Sequence, residues 1–280
     1  MKKAFTLLFI CTFLFIFYNY FPFSGAEKVN SIKERGISLN QKIPKEYLSK
    51  DLKVVCIGDS LTQGVGDSTG RGGYLPYLEE MLEKEKSINK AEFYNFGVRG
   101  LKTPQLLEKL ETYKVKEAIK EADIVVITIG GNDVMNVVRK NFSNLRLQDF
   151  EGEKKLYEKR LNKTIEKVKT LNPDSTVLLL GLYNPFFKWF SDIKEMNRVI
   201  SDWNNTSKSI LSKYKKAYFV EVEDIFMESR ENLLYKDYFH PNDKGYKLIA
   251  ERMFETLKSQ GLDKLTGERV TARKEENQVR

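Results

Sequence analysis

Histidine and cysteine are almost missing from this chain: His240 is the single histidine among 280 residues, and Cys11 and Cys56 are the two cysteines. One imidazole and no cysteine pair cannot assemble the three or four ligands of a zinc site. A disulfide is excluded on placement, because Cys11 lies in an apolar leader and Cys56 in an apolar strand, where it reads as a small core residue. Phosphate-binding signatures are absent too. Glycines 64, 66, 70, 72 and 73 do not follow the Gly-x-Gly-x-x-Gly spacing and lead into no Gly-Lys-Ser/Thr, so they read as a mobile loop beside Ser60. The sequence has no internal repeat. Its lysines are interleaved with glutamates instead of lining one stripe, which argues against a nucleic-acid interface. No cofactor is implied.

What is present starts with charge. Lys+Arg number 47 against 39 Asp+Glu, a net +8. Met1-Lys2-Lys3 opens the chain and an apolar run follows over residues 4–23. Residues 1–26 therefore read as a secretory signal cleaved after Ala26 or as a retained membrane anchor, since about twenty apolar residues suffice to span a bilayer. Both readings export the remainder, to the extracellular face of the cytoplasmic membrane or into the medium. Removing Lys2 and Lys3 leaves 45 basic against 39 acidic residues, or +6. Such a surface either is drawn to anionic lipid heads and wall polymers or is simply solvated.

Residues 27–50 are mixed and polar, the composition of a linker, and 261–280 form a polar tail. The folded domain is expected over 51–260. Strands are expected at 53–57, 92–96, 124–129, 176–180 and 217–222. Ile124-Val125-Val126-Ile127 and Val177-Leu178-Leu179-Leu180 are continuously apolar, as parallel strands covered on both faces are. Amphipathic stripes fall between them: Leu75, Leu78 and Leu82; Leu106, Leu107, Leu110 and Tyr113; Tyr157, Leu161, Ile165 and Val168; and Tyr246, Ile249, Ala250, Met253 and Leu257. Asn172-Pro173 ends the third, and another helix is expected near 192–212. This alternation predicts an α/β fold, a three-layer α/β/α sandwich around a five-stranded parallel sheet. Ligands of such sheets bind beyond the carboxyl ends of the strands.

The loops expected at that edge carry the chemistry. Ser60 follows the first strand in Gly58-Asp59-Ser60-Leu61 and is a candidate nucleophile, inert until a base removes its proton. His240 alone can act as a neutral-pH imidazole base. Asp237, three residues earlier, can orient it, and Pro241 keeps it out of the following helix. An oxyanion formed by attack on an ester needs preplaced donors, for which the Ser60 N–H, the Gly97 N–H and the Asn132 amide are candidates. Phe186, Phe187 and Trp189 follow the fourth strand; they either wall an acyl-binding groove, touch a membrane, or merely cover a loop.

Gly58-Asp59-Ser60-Leu61, Asn95-Phe96-Gly97, Gly130-Gly131-Asn132-Asp133 and Asp237-Tyr238-Phe239-His240 together resemble the four blocks of the SGNH/GDSL hydrolase family, in family order and across residues 53–250. A looser likeness is to its lysophospholipase-like, exported or membrane-tethered bacterial branch. The resemblance implies the flavodoxin-like SGNH fold and a serine esterase or lipase. It makes Ser60 the nucleophile, His240 the base, Asp237 its orienter, and Ser60, Gly97 and Asn132 the oxyanion hole. The family leaves the ester open: a lipid, a simple acyl ester or an acetylated glycan. A catalytically silent surface-binding module is the reading outside enzymes.

Overall fold

The computed structural model describes residues 49–141, 144–187, 194–260 and 262. The leader, the linker up to residue 48, the tail and Trp189 lie outside the described residues. Five strands, β1 (Lys50–Gly58), β2 (Ile88–Gly97), β3 (Ile124–Thr128), β4 (Thr176–Leu180) and β5 (Ala217–Val220), form one parallel sheet in the order β2-β1-β3-β4-β5. That is the flavodoxin-like order, and it predicts a crevice where the winding reverses between β1 and β3. The described helices are α1 (Ser60–Gln63), α2 (Leu75–Glu83), α3 (Thr103–Lys109), α4 (Tyr113–Lys120), α5 (Gly131–Lys140), α6 (Leu147–Leu171), α7 (Lys194–Leu211), α8 (Glu223–Glu228) and α9 (Asp243–Gln260).

Alternate side chains along a strand point to opposite faces, and here both faces are buried. Val55, Ile57, Val125, Ile127, Val177 and Leu179 meet helices α3 to α7 in one core. Val54, Cys56, Ile124, Val126, Leu178 and Leu180 meet α2, α8 and α9 in the other. Burying each such aliphatic side chain contributes about 1.5–3 kcal/mol. The stripes expected on α2, α6 and α9 are buried as their spacing requires.

Two expectations change. Tyr113 does not share the stripe of Leu106 and Leu110. Helix α3 stops at Lys109, the Thr112 N–H turns back to the Lys109 carbonyl, and Tyr113 opens α4 with 80% of its surface exposed. Strand β2 begins at Ile88, four residues early. It is an edge strand with one side partly open, so polar Asn89, Lys90 and Glu92 hide it from an apolar pattern.

Candidate active site

Four loops meet at the carboxyl edge of the sheet. The first leaves β1 at Gly58, where the backbone turns with φ +141°. Asp59 then caps α1, its carboxylate accepting the Leu61 N–H at 3.0 Å, and Ser60 becomes the first residue of that single turn. The Asp59 carboxylate also accepts the Thr128 hydroxyl at 2.9 Å from the end of β3. Thr128 Oγ1 lies 2.8 Å from Thr62 Oγ1, which lies 2.9 Å from the Tyr74 hydroxyl. All four groups are buried. Burial pushes the Asp59 carboxyl up to about 7 against the pull of the Leu61 N–H and Thr128 hydroxyl.

The last loop, residues 237–240, holds the histidine by its neighbours. Asp237 Oδ1 accepts the backbone N–H groups of Phe239 at 3.1 Å and His240 at 3.0 Å, while Oδ2 lies 2.7 Å from His240 Nδ1. Burial works against the Asp237 carboxylate, but these donors outweigh it and keep its pKa below the ordinary value. Tyr238 takes the left-handed φ of +55° that folds the carboxylate back onto the ring. Tyr183 donates its hydroxyl to the Phe239 carbonyl at 2.7 Å. The far side of the ring, Nε2, is 2.9 Å from Ser60 Oγ. With Nδ1–H donating to Asp237, neutral His240 presents an Nε2 lone pair to the serine hydroxyl. Ser60, His240 and Asp237, separated by up to 180 residues in sequence, are thus in one hydrogen-bonded line.

Asn132 sits in the first turn of α5. Its amide donates to the Leu101 carbonyl at 3.0 Å, which uses one of its two N–H bonds. The adjacent Asp133 carboxylate, buried, accepts the Thr103 N–H at 3.1 Å and hydroxyl at 2.6 Å, locking the turn to α3; burial raises its pKa, against those two donors. Ser60 and Asn132 line the same cleft. Gly97 departs from expectation. Its N–H donates to the Asn95 side-chain oxygen at 2.8 Å, so that donor is already engaged. Glycine is required there by packing: a Cβ at 97 would lie 2.2 Å from the Gln63 nitrogen. Among the described residues no acceptor meets the N–H of Ser60 or of Gly100, and Gly100 directly precedes the carbonyl that Asn132 touches. Gly100, three residues past Gly97, is not singled out by the sequence.

The cleft is about 620 Å³ counted out to solvent, and its walls are mostly apolar. Val134 and Met135 come from α5, Met196 and Ile200 from α7, Phe186 from the loop after β4 and Phe239 from the histidine loop. Phe186 is where expected. Phe187 is not: it turns into a separate small recess with Phe226, Leu233 and Leu234, on the other side of Pro185. The glycine-rich loop after α1 is not loose but wound around the Asp67 carboxylate.

A parallel α/β sandwich with a serine, a histidine and a carboxylate aligned at its carboxyl edge has the layout of a serine hydrolase. The model of the GDSL-like lipase/acylhydrolase family matches residues 56–248. The chain is 38% identical over 226 residues to the uncharacterized protein YpmR of Bacillus subtilis (strain 168), covering 80% of this chain and 88% of that one. It is 26% identical over 227 residues to the spore germination lipase LipC of Bacillus licheniformis, covering 77% and 99%. Among solved structures, the lipase Lip_vut3 from a goat rumen metagenome superposes with a TM-score of 0.66 at 25% identity, over 75% of this chain and 97% of that one. This chain belongs to the GDSL-like lipase/acylhydrolase family. It has the SGNH fold and is a carboxylic ester hydrolase.

Proposed function

We propose that the chain cleaves esters of apolar acyl chains through an acyl-enzyme on Ser60. The observation that carries this reading is His240 bridging Ser60 Oγ at 2.9 Å and Asp237 at 2.7 Å beside an apolar cleft. Ser60 Oγ attacks the ester carbonyl carbon while His240 Nε2 takes its proton. The carbonyl oxygen becomes an oxyanion that the Ser60 N–H, the Gly100 N–H and the second N–H of Asn132 stabilise. Collapse breaks the bond to the alcohol oxygen, and imidazolium returns the proton to it. Water, deprotonated by the same nitrogen, then releases the acid and restores the serine. Asp237 fixes the tautomer and stabilises the imidazolium throughout.

The acyl chain lies in the cleft between α5 and α7. Its lining offers Met135, Met196, Ile200, Phe186 and Phe239 but no lysine or arginine. Polar side chains (Asp59, Ser60, Thr128, Asn132 and Tyr183) are the minority of the lining, and sugar hydroxyls need many polar partners, which favours an acyl chain over a glycan in this space. The basic amino terminus and the apolar run at 4–23 support export, with the domain secreted or tethered outside the membrane.

The test is hydrolysis of p-nitrophenyl esters from acetyl to palmitoyl by the full chain and its Ser60→Ala variant. Serine-dependent turnover peaking at medium or long chains is expected. A peak at acetyl would transfer the reading to O-acetyl groups of a wall polysaccharide. No serine-dependent turnover on any ester would overturn it.

A further inference from the structure

Residues 64–73 touch neither the cleft nor the reacting atoms, yet they are tied on every side. The Asp67 carboxylate accepts five donors. Oδ1 takes the Thr69 N–H at 2.8 Å and hydroxyl at 2.6 Å, and Oδ2 takes the N–H groups of Arg71, Gly72 and Gly73 at 2.9, 3.0 and 3.0 Å. The next residue, Ser68, donates its N–H to Asp243 at 2.7 Å and its hydroxyl to the other oxygen of that carboxylate. Asp243 is the first residue of α9, the helix that follows His240. Three residues further along it, Tyr246 donates its hydroxyl to the Val65 carbonyl at 2.7 Å. Between these two ties lies Gly66. A methyl group there would stand 2.3 Å from the Pro241 carbonyl oxygen and 3.3 Å from His240 Cβ, so the Gly66 backbone lies directly against the histidine and its successor.

Asp237 fixes the rotation of the ring, but it moves with the histidine and cannot set the distance to Ser60. That distance joins two loops 180 residues apart. The loop at 64–73 starts four residues after Ser60, at the cap of the serine's own turn, and two residues later, at Gly66, lies against the histidine's backbone. It is a short covalent path from one reacting group to the support of the other.

We infer that Asp67 is a positioning residue for His240: its carboxylate winds residues 64–73 into the wall that sets the gap between the imidazole and Ser60. Asp67 touches no reacting atom. Tyr235 N–H to the His240 carbonyl, at 2.8 Å, and Tyr183 hydroxyl to the Phe239 carbonyl hold the same loop independently of it. Removing Asp67 therefore displaces the histidine without freeing it. The inference rests on the reading of His240 as the base, and its test has one readout that does not.

The single histidine makes that readout possible, since a chain labelled with ¹⁵N-histidine gives one imidazole. In the full chain, Asp67→Ala is expected to lower kcat about 100-fold with KM changed less than about threefold, the scale of a displacement near 1 Å. The imidazole nitrogen resonances and the Nδ1–H proton should shift with it. Gly66→Ala should do the same by pushing that wall onto Pro241 and His240. Asp67→Asn, which keeps one acceptor oxygen, should recover part of the kcat and can be read if Asp67→Ala does not fold. Asp224→Ala, which breaks the Arg252 pair at 2.8 Å outside the site, serves as the stability control and should leave the imidazole unmoved. Asp67 and Gly66 variants with lowered Tm but unchanged kcat and imidazole resonances would overturn the inference. If Ser60→Ala retained full activity, the esterase reading would fail while the imidazole shift still decided the role of Asp67.

Discussion

The two edges of the sheet satisfy their polar groups differently. At the amino edge, Asp123 accepts the Lys53 N–H at 2.9 Å and the Lys50 ammonium at 2.5 Å. Asn172 donates to the carbonyls of Ile119, Lys120 and Ala122 and accepts the Ser175 N–H at 3.0 Å, while the Lys169 ammonium caps the Ser175 carbonyl at 2.6 Å. These groups close the gaps between helix ends and strand starts. At the carboxyl edge, Ser60 and Gly100 keep N–H groups without an acceptor among the described residues, and Asn132 keeps half of its amide. A carboxyl with its pKa raised to about 7 is buried beside them. The named groups of the first edge pair with one another, though Ser87 Oγ before β2 is buried with no partner among the described residues. The second edge keeps backbone and amide donors over, which the proposed substrate would meet. The donors left over at the second edge are what the proposed chemistry uses.

Substitutions at the two edges should therefore separate turnover from stability. The largest effect belongs to His240→Ala. With the proposed base gone, turnover should fall on the order of 10⁴-fold or more while Tm barely moves, and near-full activity would end the proposed mechanism. Asn132→Ala comes next. Losing one oxyanion donor is expected to cost about 100- to 1000-fold in kcat, with KM little changed.

Asn172→Ala is the counterpart at the amino edge. Three carbonyls lose their donor, so Tm should drop by several degrees, from about 1–3 kcal/mol at roughly 2–4 °C per kcal/mol, with kcat untouched. A loss of turnover rivalling that of Asn132→Ala would erase the distinction between the edges.

The last effect concerns Asp59 and is read in stability against pH. Its folded pKa lies near 7, above the ordinary carboxylate value of about 3.9, so the folded state holds this proton more tightly than the unfolded chain. The resulting stabilisation is fully present below about pH 4 and is lost as pH rises through 7. Asp59→Asn keeps an acceptor for Leu61 and Thr128 but cannot ionise. Its Tm relative to the parent should accordingly be higher at pH 8 than at pH 5, and a pH-independent difference would contradict the burial argument.

Much of this was legible in the sequence because the signals are local. Continuous apolar runs mark β3 and β4, and Asp237 lies close enough to His240 in the chain to be recognised as its partner. The order of the blocks then placed Ser60, Asn132 and His240 at one edge. What escaped depends on contacts between distant segments or on which way a side chain turns. Gly97 and Gly100 are equivalent as letters; only the Asn95 rotamer decides which N–H stays free. Phe186 and Phe187 are adjacent, and the turn after Pro185 sends one into the cleft and the other into the neighbouring recess. The link from Asp59 to Thr128 spans 69 residues, and no spacing rule predicts it. The glycines that read as a mobile loop are held by Asp67, a residue with no motif of its own.

The most direct measurement is rapid-quench peptide mass spectrometry of the full chain during turnover of a p-nitrophenyl ester. An acyl group is predicted on the peptide carrying Ser60, formed in the burst of nitrophenol release and absent from Ser60→Ala. Turnover with no adduct at Ser60, or with an adduct elsewhere that survives Ser60→Ala, would contradict the acyl-enzyme at the centre of this account.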